Sequence, residues 1–119
     1  MIEKSIQMKY ILPVFLFLLV ANTSVSAQKI FKVKYESQAD LKVYIVKYES
    51  RCDLKVFMVK YESQANKDGL WYSVDYESQA DKKVFFVDYE SQADLKIFFV
   101  DYESQAGWRN QSKAHLLKF

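Results

Sequence analysis

The sequence predicts an all-β fold, a six-stranded antiparallel meander of 13-residue strand-turn repeats, and three observations lead there. First, the chain repeats itself. "VDYESQAD" occurs at 74–81 and again at 87–94, and aligning on Tyr-Glu-Ser gives six copies beginning at Tyr35, Tyr48, Tyr61, Tyr76, Tyr89 and Tyr102, spaced 13, 13, 15, 13 and 13 residues apart. Such a period outranks local motifs as evidence about architecture. Second, each copy holds a run such as "KVFFVDY", whose β-branched and aromatic residues suit a pleated strand. Third, "SQAD" between the runs carries short polar side chains that bend and cap a backbone. The apolar residues do not recur at three and four, so a helix is excluded.

Taken in order, the first 27 residues precede the repeats. Lys4 and Lys9 precede an apolar stretch from Tyr10 to Val20, followed by the small-x-small triplet Val25-Ser26-Ala27. This is the pattern of a cleaved signal peptide, with cleavage before Gln28. The apolar run is about half the ~20 residues a spanning helix needs. The expected organisation is therefore a signal peptide over 1–27, a repeat domain over 28–106 and a C-terminal capping segment over 107–119. The product is exported, periplasmic or extracellular, with no stable membrane span after cleavage.

Within the repeats, the 15-residue interval is explained by Asn66 and Lys67, inserted before "DGLWYSVDYES". Side chains alternate faces along a strand. An even-length turn puts the set Tyr44, Val46, Tyr48 and its equivalents on one face, and Leu41, Val43 and Ile45 on the other. Identical sequences argue for identical environments, which favours that parity. Both faces are apolar, so the sheet must curl on itself, pair with another copy or be covered by the C-terminal segment. A β-solenoid with two repeats per coil is the alternative. It is disfavoured because it stacks like charges, Lys34 near Lys60 and Asp75 near Asp101. After the repeats, "GWRNQSKAHLLKF" offers Asn110 or Ser112 as the cap of a short helix whose Leu116, Leu117 and Phe119 would cover an open end.

Composition limits function. The whole chain carries +2 at neutral pH. Removing Glu3, Lys4 and Lys9 with the leader leaves +1, which is no footprint for nucleic acid. The single Cys52 permits no intramolecular disulfide; a free turn thiol or an intermolecular bridge remains open. Catalysis needs one constellation in a cleft, and six copies of Tyr-Glu-Ser supply none. The only histidine, His115, falls in the tail. No enzyme, cofactor or metal site is therefore expected, although Asp75/Glu77, Asp88/Glu90 and Asp101/Glu103 each point two carboxylates to one face, as hard cations like. Asn110-Gln111-Ser112 matches a glycosylation acceptor.

The units "LKVFMVKYESQA" and "KKVFFVDYESQAD", closed by "ESQAGW", resemble a family of short, exported bacterial proteins built from tandem repeats. Arg51-Cys52 in place of Gln-Ala and the "NKDGLWYS" insertion depart from the pattern. The resemblance implies bacterial export and no known activity.

The expected role is contact, structural or adhesive, without catalysis. The alternative is a glycan- or peptide-binding module using the aromatic face. Candidate contact residues are Trp71, Trp108 and the position before the repeat tyrosine, which is Lys34, Lys47 and Lys60 in the first three copies and Asp75, Asp88 and Asp101 in the last three. Residues 28–65 carry eight basic and five acidic side chains, and 66–119 seven and nine. These nets of +3 and −2 suggest homo-oligomerisation in which the basic half of one copy meets the acidic half of another. A glycan or cell-surface partner is the other possibility.

Overall fold

The computed structural model describes residues 28–118. Expectations that fall on the leader and on Phe119 lie outside them. Seven strands form in chain order: β1 (Gln28–Lys32), β2 (Leu41–Ile45), β3 (Leu54–Met58), β4 (Leu70–Ser73), β5 (Lys82–Phe86), β6 (Leu95–Phe99) and β7 (Gly107–Trp108). A one-turn 3-10 helix made of Glu, Ser and Gln (or Arg51) follows each of the first six.

The strands do not form a meander. Their order is β4-β1-β5-β2-β6-β3, and β3 pairs with β4 to close the ring. Every contact among these six is parallel. The architecture is a closed, all-parallel six-stranded barrel, with β7 lying outside it, antiparallel to β3. This overturns the antiparallel arrangement and its solenoid alternative; only the all-β class stands.

Short turns argued for antiparallel neighbours, because a parallel crossover usually takes a dozen or more residues. Here the strand-to-strand link is eight residues, 33–40 in the first case. A constant stagger makes that sufficient. Lys32, the last residue of β1, lies opposite Val84 of β5, and Leu41, the first residue of β2, lies opposite the same Val84. The chain leaves one side of β5 and arrives on the other at the same level, so it needs only an arch over one strand. The same holds for Ser73 and Lys82 across Ile30, for Phe86 and Leu95 across Val43, and for Ile45 and Leu54 across Ile97.

Each arch is pinned at both feet. Val33 N–H donates to Val84 O at 2.9 Å and Asp40 N–H to Lys83 O at 2.7 Å, while Lys83 N–H donates back to Asp40 Oδ2 at 2.9 Å. Asp53 with Lys96, Asp81 with Lys29 and Asp94 with Lys42 repeat this reciprocal pair. A carboxylate accepting a backbone N–H makes a strong, charge-assisted bond, which explains why the repeat ends in Asp.

The arches move the chain two places round the ring each time. Three such moves would return the chain to the place of β1. From β3 to β4 it moves one place instead, through the longer link 59–69 that holds the Asn66-Lys67 insertion. Strands β4, β5 and β6 then fill the gaps left by β1, β2 and β3. The insertion is the shift from a first circuit to a second.

Closure settles what becomes of two apolar faces. One face turns inward. Ile30, Val43, Val56, Val84 and Ile97 share the interior with Trp71, which occupies the same repeat position, and Leu41, Leu54 and Leu95 join them. Each is buried, and each large side chain removed from water contributes about 1.5–3 kcal/mol. Ile45, expected on this face, is exposed at the strand end. The other face packs beneath the arches: Val33, Val46, Val59, Val74 and Val87 are buried, and Tyr44, Phe57, Tyr72, Phe85 and Phe98 are half-buried. The C-terminal 3-10 helix Gln111–Leu117 starts at Asn110, whose Oδ1 accepts from Ser112 N–H, and buries Leu117 against the core.

Candidate functional site

With six parallel strands offset alike at every junction, equivalent residues recur at one level round the barrel. Ile30, for example, lies opposite Lys82 instead of its repeat equivalent Val84, and Val84 lies opposite Leu41 instead of Val43. The six repeat tyrosines thus encircle the molecule. All stand at the start of a 3-10 turn with extended backbone, φ between −123° and −129°. All are 66–68% exposed.

Two of these tyrosines, Tyr76 and Tyr48, line grooves between neighbouring links. The groove on β4 is about 280 Å³ and is lined by Tyr72, Tyr76, Asp75, Gln79, Glu62 and Lys29, among others. The groove on β2 is about 250 Å³ and is built from the equivalent positions, with Tyr44, Tyr48, Lys47, Arg51 and Glu90. The equivalent Lys–Glu ion pair forms at four places round the ring: Lys29 with Glu62 at 3.9 Å, Lys42 with Glu36 and Lys83 with Glu77 at 3.6 Å, and Lys96 with Glu90 at 3.5 Å. These pairs are partly exposed, so each is worth at most about 1 kcal/mol. They assign the repeated Glu and Lys a tethering job.

These two grooves differ in the state of their glutamate. On β2, Arg51 Nη2 donates to both Glu90 oxygens, at 2.9 and 3.2 Å, and Lys96 approaches from the other side. On β4, where Gln79 stands in place of Arg51, Glu62 meets only the distant Lys29 among the described residues.

The candidate residues fall into two groups. Lys34, Lys47, Lys60, Asp75, Asp88 and Asp101 are all exposed. Read round the ring as β4-β1-β5-β2-β6-β3, they run Asp75, Lys34, Asp88, Lys47, Asp101, Lys60. Charges segregated in sequence therefore alternate in space. The molecule has no basic half to meet an acidic one, and that argument for head-to-tail association falls. Trp71, at 1% exposure, is a core residue and offers no contact face. Trp108 is half-buried, with Nε1 donating to Asp68 Oδ2 at 2.6 Å.

Asp68 was not among the candidate residues, because nothing in the repeat marks it. Its other oxygen accepts from Gln28 Nε2, and Gln28 Oε1 accepts from Gly69 N–H at 3.2 Å. The first strand and the last are tied to the insertion through one carboxylate. Gly69, at φ +96°, sits against Lys55 O, where a Cβ would come within 2.6 Å. Cys52 is 2% exposed, and burial pushes its thiol pKa up against the lowering field of Arg109. A thiol so enclosed cannot reach another chain without local opening. His115 is exposed, its Nδ1 3.1 Å from Ser112 O. Among the described residues no group of three or more His, Cys, Asp or Glu side chains is arranged to hold a metal ion, and no helix is long and apolar enough to cross a membrane.

Residues 27–109 match the family described as the 7(1) septoil knot domain. The chain belongs to that family. The description names a knotted path, and the two interleaved circuits are the feature of this septoil knot domain that answers to it. No curated protein and no solved structure matches the chain.

Proposed function

We propose that this septoil knot domain is an exported, non-enzymatic contact protein, structural or adhesive, that presents one tyrosine-bearing turn six times round a rigid barrel. One observation carries the reading. Almost every residue of the repeat has a structural job: Val fills the space under the arch, Asp pins its foot, and Glu and Lys tether its flank at four places. The tyrosine has none. Its side chain is two-thirds exposed in all six copies and takes part in none of the ion pairs that tether the arches. Nothing in an extended backbone position demands tyrosine. Aromatic rings with a polar tip are the side chains most enriched at interfaces. Six weak contacts on one scaffold gain strength by effective concentration.

The test replaces all six tyrosines by serine and compares retention on whole bacterial cells, and on an immobilised layer of the protein itself, with that of the wild type. Unchanged retention of the variant on both surfaces, with an unchanged circular dichroism spectrum, would sink the reading.

A further inference from the structure

We propose that the groove on β4 binds one or two rings of an uncharged sugar chain, with Tyr76 as the stacking platform. The inference rests on the contact reading above and names a ligand class for it. The groove is small, about 280 Å³, just below the range that encloses a drug-sized ligand. Its lining combines what a pyranose needs. The face of a sugar ring is a layer of C–H bonds whose slight positive charge suits the negative face of an aromatic ring. Tyr76 offers such a ring to solvent, with Tyr72 half-buried behind it. The rim of a sugar ring is hydroxyls, which both donate and accept. Asp75 and Glu62 supply acceptors, the Gln79 amide supplies both, and Lys29 donates. Glu62 is open to a ligand because its only ion-pair partner among the described residues stands 3.9 Å away.

The β2 groove is a built-in contrast. There Arg51 and Lys96 already engage both oxygens of Glu90, so a sugar hydroxyl must compete with two cations for that carboxylate. Charged polymers fit the ring poorly. A polyanion drawn to Lys34 or Lys47 meets Asp75, Asp88 or Asp101 at the next strand, whereas such ligands need a continuous field of one sign. Peptides that bind by adding a strand need an open sheet edge, which ring closure removes from β1, β2, β4, β5 and β6.

The test is an amide-resolved NMR titration of the folded protein with hexamers of β-1,4-linked glucose and of N-acetylglucosamine, beside an oligogalacturonate of equal length. The expected result is saturable shifts over residues 72–79 with a dissociation constant of about 1 mM. Tyr76→Ala should weaken binding by about tenfold or more, while Tyr48→Ala in the blocked groove changes it less than about twofold. Both tyrosines are exposed, so both variants fold, which an unchanged melting temperature verifies. The proposal is overturned by an absence of saturable shifts up to about 10 mM, by tighter binding of the oligogalacturonate, or by equal losses in the two variants. If the neutral sugars fail while the six-tyrosine variant still loses retention on cells, the contact reading stands and the sugar assignment falls.

Discussion

Four arches and one junction hold this barrel together, and they differ in redundancy. The arches over β5, β2, β6 and β1 repeat one device, an Asp that exchanges two hydrogen bonds with a Lys backbone. The junction 59–69 is used once. It lets the chain change circuits, and its Asp68 and Gly69 hold Gln28 and Trp108 in place. A repeated device spreads the cost of any single error, and a unique one concentrates it.

Substitutions can break that contrast, beginning with Gly69→Ala. A Cβ there would meet Lys55 O at 2.6 Å and Gly107 N at 2.9 Å, on a backbone at φ +96°. A loss of about 3 kcal/mol or more is expected in urea unfolding, and a loss below about 1 kcal/mol would show that the junction is slack. Next comes Asp68→Ala, which strips the acceptor from Nε2 of Gln28, a buried residue, and from the indole of Trp108. About 2–3 kcal/mol is expected from the same measurement. Asp40→Ala removes one foot of one arch at an exposed position. It should cost only about 1 kcal/mol, and a cost equal to that of Asp68→Ala would erase the distinction. Changing Asp75, Asp88 and Asp101 together to Lys turns an alternating ring into a uniformly basic one. Its melting temperature should fall at low salt and recover as salt rises, since exposed charges are screened; a salt-independent shift would show that the alternation has no electrostatic role.

One strand per repeat and the two apolar faces were legible because a period of two residues is written locally. The four-residue SQAD turn was not found: the strands stop after at most five residues, and Val46 and Tyr48 fall in an eight-residue arch. The parity argument grouped Leu41 with Val43 correctly as one face. Winding was not legible. Six near-identical units pair equally well in many orders, and neither the two-residue stagger nor the two-place step leaves a mark inside a unit. True knots are also so rare that a linear order is the natural expectation. Two marks of the second circuit did stand in the sequence. The Asn66-Lys67 insertion and the change from Lys34, Lys47 and Lys60 to Asp75, Asp88 and Asp101 occur at the same boundary. Read as a circuit change they predict the alternation; read along a line they suggested two halves. The candidate groove was half visible: its tyrosines and acids were in the repeat, but Glu62 and Lys29 reach it from neighbouring strands.

Strands β1, β2 and β3 make no hydrogen-bonded pair with one another, and neither do β4, β5 and β6; only β3 and β4 are neighbours both in sequence and in the ring. Half of this chain is consequently not half of a sheet. Proteins built from stacked repeats can lengthen or shorten by a unit at either end, because each unit leans only on those beside it. A unit added here would find no vacant place in the ring, and a unit lost would strip two others of a partner. The gene can drift at single positions, as Arg51 and Cys52 show, but it cannot grow by the step that made it.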